Sequence, residues 1–269
     1  MASYSIELTV SGAEKIEKRL KSISGERILD VCTAKGGFID TLMKFLKDYD
    51  SFVGIDISEE ELEHARKRFE KQPKIEIKEM NADVLEFEDN SFDTVCISHS
   101  LHHLDHIDKV LTEMKRVLKK NGYFILQEMY CDEEQTEAQK SDILQHHWDS
   151  EIDTLMGILH YNTFPRQRLR DIFGSLGLKH VDVFESIHPI NCLICEKRKE
   201  CEDPRNEKII NQAIKEIDDG LKRLEEHLNI IAVDQYSKVE KLKDEAEKLK
   251  EVMPLFEQLK TMLAESGSV

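Results

Sequence analysis

Arg27-Ile28-Leu29-Asp30-Val31-Cys32-Thr33-Ala34-Lys35-Gly36-Gly37-Phe38 is the stretch on which the fold turns. A short apolar run (Ile28, Leu29, Val31) ends in small residues, and Phe38, Leu42, Phe45 and Leu46 follow at helical spacing. A strand, a tight turn and a helix start, in that order, build nucleotide-type cofactor sites. Backbone N–H groups at the helix start face the ligand, and small side chains let it come close. Gly36-Gly37 would also serve as a plain turn into an ordinary helix, so the weight of the stretch comes from its surroundings.

Working outward, Ile16, Leu20 and Ile23 give an amphipathic lead-in helix within 11–24. On the other side Ser51–Asp56 reads as a second buried strand ending in an acid. Ser58 then caps a helix with Glu59, Glu60 and Glu61 in its first turn, running to about Lys71 before Pro73 breaks it. Lys74–Lys78 alternates as a third strand leading to Asn81-Ala82-Asp83-Val84. Ser91–Ser98 is a fourth, nearly continuous in apolar residues, as expected of a sheet covered on both faces. A histidine-rich loop (Ser100–His106), a helix over Ile107–Lys119 and a turn at Asn121-Gly122 lead to a fifth strand, Tyr123–Gln127. Strands alternating with helices predict a doubly wound, parallel α/β sheet whose ligands bind at the carboxyl ends of the strands.

Residues 131–165 read as a polar, helical insertion carrying His146, His147, Trp148, His160 and Tyr161. Arg166–Leu176 is another helix, closed by Gly177. Leu178–Glu185 and Ile190–Glu196 are expected as an antiparallel strand pair across Ser186–Pro189. From Pro204 the composition turns to Lys and Glu. Apolar residues recur in steps of four and three from Ile210 to Ile231, and again from Val239 to Met253, with Pro254 expected to open a last short helix. The natural arrangement is a helical hairpin, serving equally a tail folded over the sheet domain or a homodimer contact. The expected division is a sheet domain over 1–200, with 131–165 as its lid, and a helical appendage over 201–269.

The formal net charge of −16 repels a phosphate backbone, and the short basic runs are flanked by Glu, so nucleic acid is not the expected partner. No apolar run approaches twenty residues, and no signal-like leader is present, so neither a membrane span nor secretion is expected. Cys32 and Cys96 at buried strand ends suit reduced thiols in a cytoplasm rather than a disulfide framework.

Gly36 and Asp56 stand 20 residues apart, close to the usual gap of about 20 between a glycine-rich turn and the acid that binds ribose hydroxyls. Ser58 already fills the cap role, which leaves Asp56 for a diol. Asp83 is placed to accept from an exocyclic amine, with the Val84 N–H reaching a ring nitrogen; a loop carboxylate in water is the plainer reading.

Leu29-Asp30-Val31, Val53-Gly54-Ile55-Asp56, Asn81-Ala82-Asp83, Phe92–Ser98, Leu101-His102-His103-Leu104 and Leu118–Tyr123, in that order, resemble the class I S-adenosylmethionine-dependent methyltransferases. The closest likeness is to the small-molecule, type 11 branch. The resemblance implies a Rossmann-like seven-stranded sheet with the last strand antiparallel, S-adenosylmethionine as cofactor and a small-molecule methyl acceptor. Among the cofactor residues, Asp30 belongs to the first motif, and Cys32, Ala34, Lys35 and Gly36 hold the methionine part. Asp56 takes the ribose, Ile57 and Val84 flank the adenine, Asp83 binds its amine, and Ser98 floors the sulfonium. The family's loop usually has glycine where Cys32 and Ala34 stand, and a Cβ at 34 narrows the room for the methionine part.

On the acceptor side the candidates are His99, Glu128 and Tyr130, with His147, Trp148 and Tyr161 from the insertion; Trp148 packed onto the core is the competing reading. No catalytic base is fixed by the sequence; His103 and His147 are the candidates if the acceptor must lose a proton. His188, Cys192, Cys195 and Cys201 have zinc-like spacing. On a strand, however, Cys192 and Cys195 face opposite sides, so no metal is expected. The histidines at 99, 102, 103, 146, 147 and 160 have no spacing that requires an ion. Two other readings stay open: a nicotinamide-dependent oxidoreductase, weakened because Ala34 obstructs a pyrophosphate, and a non-catalytic scaffold that has lost its cofactor.

Overall fold

The structure, a computed structural model, describes residues 12–132, 137–185, 207–228, 231 and 235–265, without the side chains of 12–13, 137–142, 207–210, 212–213 and 252–265. Two compact units divide the chain: Met1–Met129 with Gln167–Ser186, and Tyr130–Arg166 with Ile187–Val269.

The first unit opens with α1 (Gly12–Leu20), β1 (Arg27–Val31), α2 (Gly37–Phe45), β2 (Ser51–Asp56), α3 (Glu59–Arg68) and β3 (Ile75–Glu79). It continues with β4 (Phe92–Ser98), a 3₁₀ turn (Leu101–His103), α4 (Ile107–Val117) and β5 (Leu118–Gln127). The five strands form one sheet in the order β3-β2-β1-β4-β5, every pairing parallel. Ile28, Leu29, Val31, Val95 and Ile97 have no exposed surface, whichever way they point, because helices cover both faces. The α4 stripe is buried at Val110, Leu111, Met114 and Val117, and Ser58 caps α3 by accepting from the Glu61 N–H.

β5 starts earlier than the sequence suggests. Leu118 already pairs with Phe92, and pairing resumes at Tyr123 opposite Thr94, so Lys119–Gly122 is an irregularity inside the strand. Asn121, at φ 67°, is the residue that takes the left-handed turn there.

Of the expected seven strands with an antiparallel last member, the sheet among the described residues holds five, all parallel. Residues 178–185 carry no ladder. Their polar side chains are tied to helices instead, Asp182 to Arg19 at 2.7 Å and Glu185 to Arg170 at 3.9 Å. The other half of that pair, 190–196, its turn at 186–189 and the zinc-like set His188, Cys192, Cys195 and Cys201 lie outside the described residues.

The second unit holds β6 (Tyr130–Cys131), α5 (Glu137–Leu155) and β7 (Phe164–Pro165). The chain then returns to the first unit through α6 (Arg166–Ser175), and the second unit is completed by α7 (Glu207–Glu226) and α8 (Tyr236–Glu265). Trp148 and Ile152 of α5, Ile217 and Leu224 of α7, and Val239, Leu242, Ala246 and Leu249 of α8 share one core. Lys250 pairs with Asp218, and the Tyr236 hydroxyl donates to the Leu228 carbonyl at 3.4 Å. Tyr236 at the start of α8 thus meets the end of α7, and Lys250 further along α8 meets Asp218 further back on α7, so the two helices run antiparallel. Residues 131–165, read from sequence as part of the sheet domain, thus pack with the C-terminal helices. α8 also continues through Pro254, where a new helix was expected. A proline removes one bond from the helical ladder, and a helix of 30 residues keeps the rest.

Candidate functional site

β1 lies at the centre of the sheet, with β2 and β3 to one side and β4 and β5 to the other, so the order reverses between β1 and β4. That is where an open parallel sheet leaves a crevice at its strand tips. The β1–α2 loop occupies it with three left-handed residues: Cys32 (φ 56°), Ala34 (φ 43°) and Gly36 (φ 80°). Only glycine takes this conformation without steric cost; for Cys32 and Ala34 the cost is about 1–2 kcal/mol each. At Gly36 a side chain is excluded on two grounds, since a Cβ would also stand 2.3 Å from the Phe69 ring.

Buried bonds hold the loop in this shape. The Thr33 N–H donates to the Ile55 carbonyl at 2.8 Å, and its hydroxyl donates to Asp30 Oδ2 at 2.6 Å. The Cys96 thiol donates to Asp30 Oδ1 at 3.3 Å. Asp30 is 1% exposed. Burial pushes its carboxyl up to about 6, against the Thr33 and Cys96 hydrogen bonds and with the help of the Asp56 charge. Burial, then the charges of Asp56 and Asp30, pushes the Cys32 thiol up to about 12, which leaves it an inert packing group.

Asp56, at the tip of β2, faces the loop. Its Oδ2 accepts from the Ala34 N–H at 2.9 Å, and its Oδ1 accepts from the N–H groups of Ile57 (2.8 Å) and Ser58 (3.0 Å). A carboxylate offers about four acceptor positions, so the remaining capacity lies on Oδ2, beside the loop. Ile57 is 70% exposed and Val84 59% exposed: two apolar side chains in water at neighbouring strand tips. Asp83 Oδ2 is approached by Lys109 Nζ at 3.3 Å and His106 Nδ1 at 3.5 Å. Lys35 points to Glu61 of α3 at 3.5 Å.

At the tip of β4 the Ser98 carbonyl accepts from the Ser100 hydroxyl at 2.7 Å. His99, exposed at φ 49°, sets Nε2 2.8 Å from the Gln127 side chain. Glu128 is not a surface group for an acceptor. Its side chain is 1% exposed; it accepts from the Leu101 and Met129 N–H groups at 2.7 and 2.9 Å and meets His102 Nδ1 at 3.0 Å. Burial raises the Glu128 carboxyl, but His102 and those two N–H groups outweigh it and hold the group below its ordinary value. Glu128 therefore fastens the 3₁₀ turn to the end of β5, with His103 left exposed on that turn.

In the second unit Trp148 is 3% exposed, with its indole N–H donating to the Leu242 carbonyl at 2.9 Å. It is a core residue, which corrects its expected place at a substrate, because the α7–α8 stripe needs an apolar partner. Tyr130 lies under the Arg166 guanidinium, 4.8 Å from ring centre to Cζ, and its hydroxyl accepts from Arg166 at 3.1 Å. His147 Nε2 meets the Thr163 hydroxyl at 2.9 Å, and burial lowers its basicity. Tyr161 is 45% exposed.

Sequence reading passed over Thr33, Lys109 and His106. Thr33, three residues after a buried acid, carries a readable hint; the other two come from α4 and its approach, and only folding brings them to Asp83.

In open parallel sheets, the strand tips where the order reverses are where ligands bind. Residues 29–126 match the family model described as a methyltransferase domain. The chain is 36% identical over 110 residues to the demethylmenaquinone methyltransferase of Lactococcus lactis, covering 40% of this chain and 44% of that protein. With the demethylmenaquinone methyltransferase of Bacteroides fragilis it is 30% identical over 130 residues, covering 47% and 53%. It thus spans about half the length of the curated relatives it matches. The fold is also that of a presumed methyltransferase of Bacillus halodurans, at TM-score 0.50 and 22% identity over 62% of this chain and 69% of that one. A chain of the complex between the Haloferax volcanii Trm112 methyltransferase activator and its presumed methyltransferase is similar at TM-score 0.50 and 19% identity, covering 66% and 72%.

Proposed function

We propose that this chain transfers a methyl group from S-adenosylmethionine to a small-molecule acceptor. The observation that carries the reading is the Asp56 carboxylate, held by three backbone N–H groups beside the left-handed loop with acceptor capacity left on Oδ2. That is the chemistry a ribose diol needs. The exposed Ile57 and Val84 fit an adenine ring between apolar faces, and Asp83 fits its amine. Cys32, Ala34, Lys35 and Gly36 would line the methionine part through backbone rather than side chains, and Ser98 would lie below it.

The cofactor, when bound, supplies an electrophilic methyl group; the protein's part is to align the acceptor and exclude water. His99 and His103, exposed beside the β4 tip, are the imidazoles open to an acceptor that must lose a proton. The relatives named demethylmenaquinone methyltransferase make a quinone-type ring the first acceptor to assay. On this reading the cofactor and its acceptor are served by the sheet unit, and the helices of 201–269 are open to self-association.

Calorimetric titration with S-adenosylhomocysteine tests the proposal. Wild-type protein is expected to bind one equivalent, and Asp56→Ala to bind at least tenfold more weakly while circular dichroism stays unchanged. A folded wild-type protein that takes up none at millimolar ligand would leave the scaffold reading standing. Tight binding of NAD in its place would favour hydride transfer.

A further inference from the structure

We infer that His146 and His160 form one side of a divalent-cation site, of the zinc, cobalt or nickel class, with Asp153 as its orienting carboxylate. His146, Asp149 and Asp153 stand at i, i+3 and i+7 on α5, hence on one face of the helix. The segment after α5 brings His160 back onto that face, where Asp153 Oδ2 accepts from His160 Nδ1 at 2.7 Å. This bond fixes the tautomer: with its proton on Nδ1, a neutral His160 presents the Nε2 lone pair. That atom lies 3.3 Å from His146 Nε2.

With no ion present, that separation lets the two ring nitrogens share a hydrogen bond. It equals the spacing of two imidazole nitrogens on one tetrahedral ion, since bonds of about 2.0–2.1 Å at the tetrahedral angle put them ~3.4 Å apart. The rings cross at 71°, so both nitrogens can aim at a common point rather than stack. Behind the pair the structure supplies the support that metal histidines require: an acid on the distal nitrogen, itself held. Asp153 Oδ1 accepts from Arg223 Nη1 at 2.7 Å, and the same guanidinium reaches Asp149 Oδ1 at 3.2 Å. His160 is 9% exposed, and His146 is half-buried. Imidazole ligands select borderline cations over magnesium or calcium. A bound ion would pin the residue 160 segment to α5.

The test is titration of the chelator-treated full chain with zinc alone, followed by calorimetry, and with cobalt alone, followed by visible absorption. Wild type is expected to take up an equivalent that His146→Ala and His160→Ala each lose or bind at least tenfold more weakly. Its cobalt spectrum should lack thiolate charge-transfer bands. Asp153→Asn is expected to weaken the same equivalent about 10- to 100-fold. Melting curves in chelator, within a few degrees of wild type, establish that each variant is folded. Zinc uptake that is identical in wild type and both histidine variants, or no uptake at 100 µM zinc (about the weakest affinity worth calling a site), overturns the inference and leaves the two rings in plain van der Waals or hydrogen-bond contact.

Discussion

Asp30 carries the least expected chemistry of any single residue at the β1 tip. The opening motif marks it as an acid at the end of a strand, but not that it is buried and bonded to Thr33 and Cys96. Its folded value, about 6, lies above the ordinary 3.8. Between those two values the folded state holds a proton that the unfolded chain has released, so stability falls as pH rises. The full difference is about 3 kcal/mol, present below pH ~4 and lost above pH ~6. Urea denaturation of wild type and Asp30→Asn across this window should show the wild type losing that amount relative to the variant. Parallel curves would mean that Asp30 is solvated. The departures at Cys32 and Ala34 are legible in the sequence as changes of residue type. That both keep the backbone angles of glycine is a property of the loop's hydrogen bonds, which hold a shape that local preference disfavours.

Elements were readable where one face decides them. The α4 stripe, the Ser58 cap and the β1, β2 and β4 runs appear within a residue or two of their expected places, because burial on a covered sheet leaves the sequence little choice. Segments whose fate depends on a distant partner were not readable: 178–185 alternates like a strand yet spends its acids on Arg19 and Arg170. The partner of Trp148 was equally hidden, being a glycine on a helix more than seventy residues later. A Cβ at Gly220 would come within 2.6 and 2.8 Å of the Trp148 ring, and an indole wedged between α5, α7 and α8 has nowhere to turn. Gly220→Ala gains ~1 kcal/mol of helix propensity but should lose about 1–3 kcal/mol to overpacking, for a net loss of stability. Trp148 is the only tryptophan, so its emission reports the event directly. A red-shifted spectrum and a lower midpoint are expected; a midpoint raised by the helix gain alone would show that α7 stands off from the ring.

At the scale of the molecule, the groups proposed to meet the cofactor come from residues 30–36, 56–57, 83–84 and 98, brought together by the order β3-β2-β1-β4-β5. The sequence gives their order but not their convergence, which follows from β1 being laid at the centre with crossovers going out on both sides. Because each group hangs from a different strand tip, one ligand touching all of them links segments far apart in the chain. At a ligand concentration of 100 times Kd, binding to the folded state alone adds ~2.7 kcal/mol, enough to slow exchange through full unfolding about a hundredfold. The sharper signature is local. With S-adenosylhomocysteine, amides of 32–37, 56–58 and 81–85 should gain protection together and with one concentration dependence, including the Ala34 N–H that already donates to Asp56. In Asp56→Ala the three segments should lose that common response. Protection confined to one tip would mean the ligand bridges nothing, and protection centred on α7 and α8 would move the site to the other unit. Either result refutes a shared adenosyl site, whatever the family likeness of the sheet.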